Sequence, residues 1–170
     1  MGFFSACAGL LPLPLPVSKD YGRFLLNGLA RFEDEEGVRI GVENMPAKRV
    51  LGRRLDIHDL NTLDVLSSLP GVTLDTTHLG TWDLDPVDVY ERLKARVVHV
   101  HLSNFDGEEH RLPQEGHLPL ADFLQRLKRD GYKGAVSVEL NPDVLQVEDE
   151  DLVRVHLRDA AAFCREHLGR

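Results

Sequence analysis

Cysteine is scarce in this chain. Cys7 and Cys164 are its two thiols, far apart and without metal-ligand spacing. That excludes a disulfide scaffold or a cysteine-ligated zinc, and it makes a reducing, cytoplasmic compartment the expectation. Positive charge is also in deficit: 20 Lys and Arg against 28 Asp and Glu give a formal net charge of -8. Such a surface repels a phosphate backbone unless a basic patch is segregated on it. The densest basic group, Lys48, Arg49, Arg53 and Arg54, reads as a solvated loop or helix start, so no nucleic-acid partner is expected. An uninterrupted apolar run is missing as well. Met1 to Pro16 is apolar and contains Ala6-Cys7-Ala8, but it has no basic start and is broken by Pro12, Pro14 and Pro16. It makes a poor signal peptide and is too short to span a bilayer. Residues 1–17 therefore read as an irregular lead-in, and no membrane partner is expected.

What is present suits one folded domain, since 170 residues with 42% hydrophobic side chains can build a sizeable core. From Ser18 onward, helical and extended patterns alternate. Asp20 to Glu36 carries Tyr21, Phe24, Leu25, Leu29 and Phe32 at helical spacing and stops at Gly37. Asp59 to Leu69 reads as a helix closed by Pro70-Gly71, and Asp85-Pro86 as an N-cap and first turn of a helix to about Lys94. A polar loop from Ser103 to His117 precedes a helix from about Pro119 to Asp130, and an amphipathic helix from about Glu148 to Leu168 closes the chain.

Between these helices lie four strand patterns: Val38 to Glu43, Val72 to Asp75, Val97 to Asn104 and Ala135 to Leu140. Successive strand side chains point to opposite faces. On that alternation, Val97 shares a face with His99 and His101, opposite Val98, Val100 and Leu102. In all four strands one face is aliphatic and the other is small or polar, ending in Glu43, Asp75, His101 and Glu139. Strand–helix alternation at this spacing calls for a parallel sheet with right-handed crossovers. A doubly wound sheet would be apolar on both faces. A single polar face instead suits the interior of a TIM-type (β/α) barrel, whose sites collect at the C-terminal strand ends. Four units amount to half such a barrel.

Four segments carry a resemblance: Gly41-Val42-Glu43-Asn44-Met45-Pro46, Leu74-Asp75-Thr76-Thr77-His78, His99-Val100-His101-Leu102-Ser103-Asn104, and Gly131-Tyr132-Lys133-Gly134 followed by Val138-Glu139. In this order they resemble the xylose isomerase-like superfamily, which contains sugar phosphate isomerases and epimerases and the endonuclease IV proteins. The resemblance runs from about Pro16 to the end and implies that residues 18–170 are the C-terminal half of such a domain. It implies a (β/α)8 barrel whose last four strands hold a divalent metal through Glu43, Asp75, His101 and Glu139. It further implies that His78 binds substrate and that Arg111 meets a hydroxyl or phosphate. His110 alternatively resembles a metal-binding histidine of the endonuclease IV branch, with Glu108 as its acidic partner. Gln114 stands where the family usually has glycine. The 17 residues before Ser18 cannot supply four more strands. Either the chain is a fragment lacking its N-terminal half, or two copies complete one another as a homodimer.

The chemistry of the four residues can be argued without the resemblance. Three carboxylates and one imidazole form a hard donor set suited to Mn²⁺, Mg²⁺ or Zn²⁺, and close carboxylates repel without a cation. In the isomerase reading that the resemblance implies, a metal bound there would engage the carbonyl and hydroxyl of a small sugar or hydroxy-carbonyl compound. Glu43 and Glu139 would then exchange the carbon-bound proton through an enediolate. The alternative that the resemblance implies is an endonuclease IV-like metal-dependent phosphodiester hydrolase, and a catalytically silent half-barrel, outside it, is the third reading. His99 lies two residues before His101, ~6 to 7 Å deeper, as an interior hydrogen-bonded histidine. His58, His117, His156 and His167 read as surface residues.

Overall fold

A computed structural model describes residues 19–58 and 60–169. The lead-in 1–17 with Cys7, and Asp59 at the expected start of the second helix, lie outside the described residues. A helical run opens with Lys19–Arg23 (α1), passes through a π-helical turn at Phe24–Gly28 and continues as Leu29–Glu36 (α2). It ends where Gly37, at φ 65°, caps the Glu33 carbonyl, a left-handed position that glycine adopts at no steric cost. Then come β1 (Val42–Glu43), β2 (Lys48–Val50), β3 (Arg53–Leu55), α3 (Leu63–Ser68), β4 (Val72–Asp75), α4 (Thr76–Thr81) and α5 (Pro86–Leu93). The chain finishes with β5 (Val97–Leu102), α6 (Leu120–Arg129), β6 (Ala135–Val138), α7 (Pro142–Leu145) and α8 (Glu150–Leu168).

β1, β4, β5 and β6 form a parallel sheet in that order. Its helix-facing side supplies Val72, Leu74, Val97, Val100 and Leu102 to the core, against Leu66, Leu93, Phe123, Leu124 and Leu127 from the helices. Each such side chain, when fully buried, contributes about 1.5–3 kcal/mol. The opposite side carries Thr73, Asp75, His99, His101 and Ser137. The sheet is thus one arc of a TIM-type barrel, with helices outside and polar groups within.

Five local expectations change. The first strand is two residues long, because the Ile40 N–H donates to Glu33 Oε1 at 2.6 Å and leaves no ladder bond for Val38 to Ile40. Gly41 belongs to this approach: a Cβ there would lie 2.3 Å from Thr73 Oγ1. Val97 does not share the face of His99. Val72 pairs with Val97 but Thr73 with His99, so Val98 is an extra, bulged residue and Val97 joins the core. The basic group Lys48 to Arg54 is neither loop nor helix start but the β2–β3 hairpin, turned by Leu51 at φ 49° and Gly52 at φ 77°. Helix α4, absent from the sequence pattern, starts at once after Asp75 and carries His78. Of the four histidines expected at the surface, His117 is exposed; His58, His156 and His167 are half-buried, and His167 packs on Phe163.

The N-terminal helical run also departs from its apolar spacing. Leu25 and Leu29 are buried, while Tyr21, Phe24 and Phe32 are exposed. Tyr21 and Phe24 line a cavity of about 630 Å³ beside the β1 edge, where the described sheet ends. Among the described residues, no helix is long and apolar enough to cross a membrane.

Candidate metal centre

Glu43, Asp75, His101 and Glu139 converge on the polar face, each offering a ligand atom within 4.8 Å of the others. They do not sit on one rung of the sheet. Glu43 pairs with Thr73, Asp75 pairs with His101, and Glu139 lies two residues beyond Ser137, the partner of His101. Barrel strands are staggered, and the stagger lets four separated residues meet at one point. His101 Nδ1 is 2.9 Å from Glu43 Oε1, 2.9 Å from Glu139 Oε2 and 3.8 Å from Asp75 Oδ2.

Asp75 ends β4 and caps α4. Its Oδ1 accepts from the backbone N–H groups of Thr77 (2.9 Å) and His78 (3.2 Å). Its Oδ2 is buried and has no hydrogen-bond partner. Burial, then the nearby Glu43 and Glu139 charges, push its carboxyl up to about 8, although the His78 N–H bond and His101 pull the other way. An orphaned carboxylate oxygen facing two more carboxylates and an imidazole fits a hard divalent cation, which would supply the missing charge and the missing partner.

The ends of β4 and β5 are tied by threonines. Thr76 Oγ1 donates to the Ser103 carbonyl at 2.7 Å and accepts from the Ser103 N–H at 3.1 Å; Thr77 Oγ1 donates to the Asn104 carbonyl at 3.0 Å. Thr77 Oγ1 also accepts from the His110 N–H at 3.1 Å, which brings the loop after β5 over the site. A second group forms there from His78, Glu109 and His110. His78 Nε2 lies 3.7 Å from Glu109 Oε2, and His110 Nδ1 lies 3.3 Å from Ser103 Oγ. The acidic member is therefore Glu109 and not Glu108, whose carboxylate binds Arg111 at 2.5 Å.

Arg111 is held by Asp106 as well, at 3.1 Å. Its guanidinium is directed to these two carboxylates. His99 stacks edge-on against His101 with ring centroids 5.0 Å apart, and burial together with His101 lowers its pKa. It is a half-buried neighbour of the cluster.

Two residues went unnoticed at the level of sequence. Asn44 stands inside the first motif with no pattern of its own to mark it, and Glu109 is indistinguishable by pattern from its neighbour Glu108. The direct adjacency of Asn44 to a strand-end glutamate was the available signal for the first. For Glu109 there was none, because the turn that aims it, with His110 at φ 60°, is set by the Thr77 bond.

An uncharacterized protein of Methanocaldococcus jannaschii is 29% identical over 138 residues, which cover 78% of this chain and 47% of that protein. The chain thus spans about half the length of this relative. A D-tagatose 3-epimerase-like protein superposes with a TM-score of 0.53 at 26% identity, covering 81% of this chain and 53% of its own. A D-psicose 3-epimerase determined in the presence of D-fructose superposes with a TM-score of 0.66 at 22% identity, over 92% of this chain and 60% of its own; that likeness shows the fold. Residues 19–166 match the family described as xylose isomerase-like TIM barrel. With the parallel sheet and its strand-end cluster, this match shows that the chain belongs to the xylose isomerase-like TIM barrel family.

Proposed function

We propose that the protein is a divalent-cation-dependent isomerase or epimerase of small sugars or related hydroxy-carbonyl compounds. The observation that carries this reading is the buried, unpartnered Asp75 Oδ2 at the centre of the Glu43, His101 and Glu139 side chains. A bound cation, Mn²⁺, Mg²⁺ or Zn²⁺, would supply Lewis acidity to a substrate carbonyl and its neighbouring hydroxyl. Glu43 and Glu139 meet His101 Nδ1 at the same 2.9 Å. From there each can act as acid or base, one removing the carbon-bound proton to give an enediolate and the other returning a proton to the adjacent position or opposite face. His78, buried beside them, offers Nε2 to a substrate oxygen. Arg111 meets a substrate oxyanion only by opening its pairs with Asp106 and Glu108.

The sugars named for the neighbouring structures, D-tagatose and D-fructose, are the first compounds to test. With an active preparation, solvent deuterium enters a carbon-bound position of the substrate, and Glu139→Gln abolishes that incorporation while weakening ligand binding less. Rapid deuterium incorporation by Glu139→Gln overturns the two-glutamate mechanism. A second reading, phosphodiester hydrolysis, is favoured by the His78, Glu109 and His110 group, which can hold a further cation. The net charge of -8 opposes a polyanionic substrate. Two bound zinc ions with phosphodiesterase turnover, and no proton exchange, would select it.

A further inference from the structure

Asn44 follows the strand-end Glu43 and is 3% exposed. Its side-chain amide lies against the Asp75 peptide: Nδ2 donates to the Asp75 carbonyl at 3.1 Å, and Oδ1 accepts from the Asp75 N–H at 2.8 Å. A primary amide can make this reciprocal pair because it carries a donor and an acceptor side by side. The pair acts as one more rung of the β1–β4 ladder beyond Glu43–Thr73. It fixes the backbone of the residue whose Oδ2 is left unpartnered.

The main chain of Asn44 makes a second connection. Its carbonyl is 2.8 Å from His78 Nδ1. A carbonyl only accepts, so Nδ1 carries a proton, and in the neutral ring Nε2 carries the lone pair. Two carboxylates compete for that N–H, Asp75 Oδ2 at 3.7 Å and Glu43 Oε1 at 3.9 Å. The nearer Asn44 carbonyl keeps the proton away from both and leaves Nε2 toward Glu109, 3.7 Å away.

We propose that Asn44 is a positioning residue that links the two polar groups of the site, holding Asp75 Oδ2 in the cation cluster while setting His78 in its Nδ1-protonated tautomer. The cation half of this proposal rests on the metal-centre reading given above. Partners that orient metal ligands typically carry ~10- to 100-fold in metal affinity. Asn44→Ala removes both amide bonds; Asn44→Asp keeps the size but turns an acceptor on the Asp75 carbonyl.

The test is Mn²⁺ titration of the full chain and its variants, with thermal unfolding measured alongside and the His78 ring nitrogens assigned by ¹⁵N NMR. Both Asn44 variants should bind Mn²⁺ at least ~10-fold more weakly than the parent. Asn104→Ala is the control. Asn104 is an equally buried asparagine whose side chain bonds Phe105, Pro113 and Leu118 instead of a ligand. It should lower the melting temperature and leave Mn²⁺ affinity within about twofold, since it touches no ligand. Parent-like affinity in Asn44→Asp, or equal losses in Asn44→Ala and Asn104→Ala, overturns the role of Asn44. Absence of Mn²⁺ binding by the parent overturns the metal-centre reading instead. The NMR measurement needs only the parent chain, and a His78 protonated on Nε2 and not on Nδ1 overturns the tautomer assignment even if no variant folds.

Discussion

At Asp75 one carboxylate oxygen caps a helix and the other, buried beside two glutamates, lacks a hydrogen-bond partner. Removing its charge or the imidazole beside it should therefore cut cation binding more than it harms folding. Asp75→Asn and His101→Ala are expected to lower bound Mn²⁺ or Zn²⁺ by ~10-fold or more, measured by elemental analysis after dialysis. Parent-like metal content in both would count against the cluster. The same residue sets a pH dependence in chelator. Burial raises its carboxyl from the ordinary 3.8 to about 8, so the metal-free fold holds this proton more tightly than the unfolded chain does. The stability from this group is full below about pH 4 and is lost as pH rises toward 8. Denaturant unfolding in EDTA should show the parent losing stability relative to Asp75→Asn between pH 5 and 8. A constant gap between the two across that window would contradict the assignment.

The elements that carry the site are short and held by local devices. α4 and α5 are capped by Asp75 and Asp85, and such caps typically contribute ~1 kcal/mol each. The β2–β3 hairpin has a different economy. Its turn places Leu51, 99% exposed, at φ 49° before Gly52 at φ 77°. Both central residues of a two-residue hairpin turn with positive φ favour Asn-Gly. Leu51→Asn should therefore raise stability by about 0.5–1 kcal/mol, readable as a higher urea midpoint with unchanged slope. A lower midpoint would mean that Leu51 makes contacts in solution beyond those of the isolated chain.

At the scale of the molecule, the sheet has two edges among the described residues, β1 and β6, and each is paired on one side only. Large hydrophobics are exposed on the N-terminal helical run (Tyr21, Phe24, Leu26 and Phe32), where Tyr21 and Phe24 line the cavity at the β1 edge, and in the segment that follows β6 in the chain (Val147, Val155 and Leu157). Unpaired parallel edges with apolar flanks template association. The isolated 170-residue chain is expected to dimerise or aggregate at micromolar concentration. Two copies related by a twofold axis along the barrel would place each β1 against the other copy's β6. Sedimentation of a cooperative 19.1 kDa monomer would refute this.

The sequence by itself determined the order of the four sheet strands and of the longer helices, the sidedness of the sheet and the four polar strand-end residues. Each of those is written locally: a period of two or 3.6, a stop at Gly37 or Pro70, a charged group at a strand end. His101 and Glu43 are 58 residues apart and yet meet at 2.9 Å, and the motif order anticipated that meeting because parallel strands deliver their ends to one rim. Only the tertiary structure decided the rest. The bulge that sends Val97 into the core depends on the register against Val72. The choice of Glu109 over Glu108 depends on a bond from Thr77, 33 residues upstream of His110. The work of Asn44 depends on Asp75 and His78, 31 and 34 positions away. Hydrogen bonds of that range leave no periodicity in the chain, because what selects them is the distance between backbones once the sheet has formed.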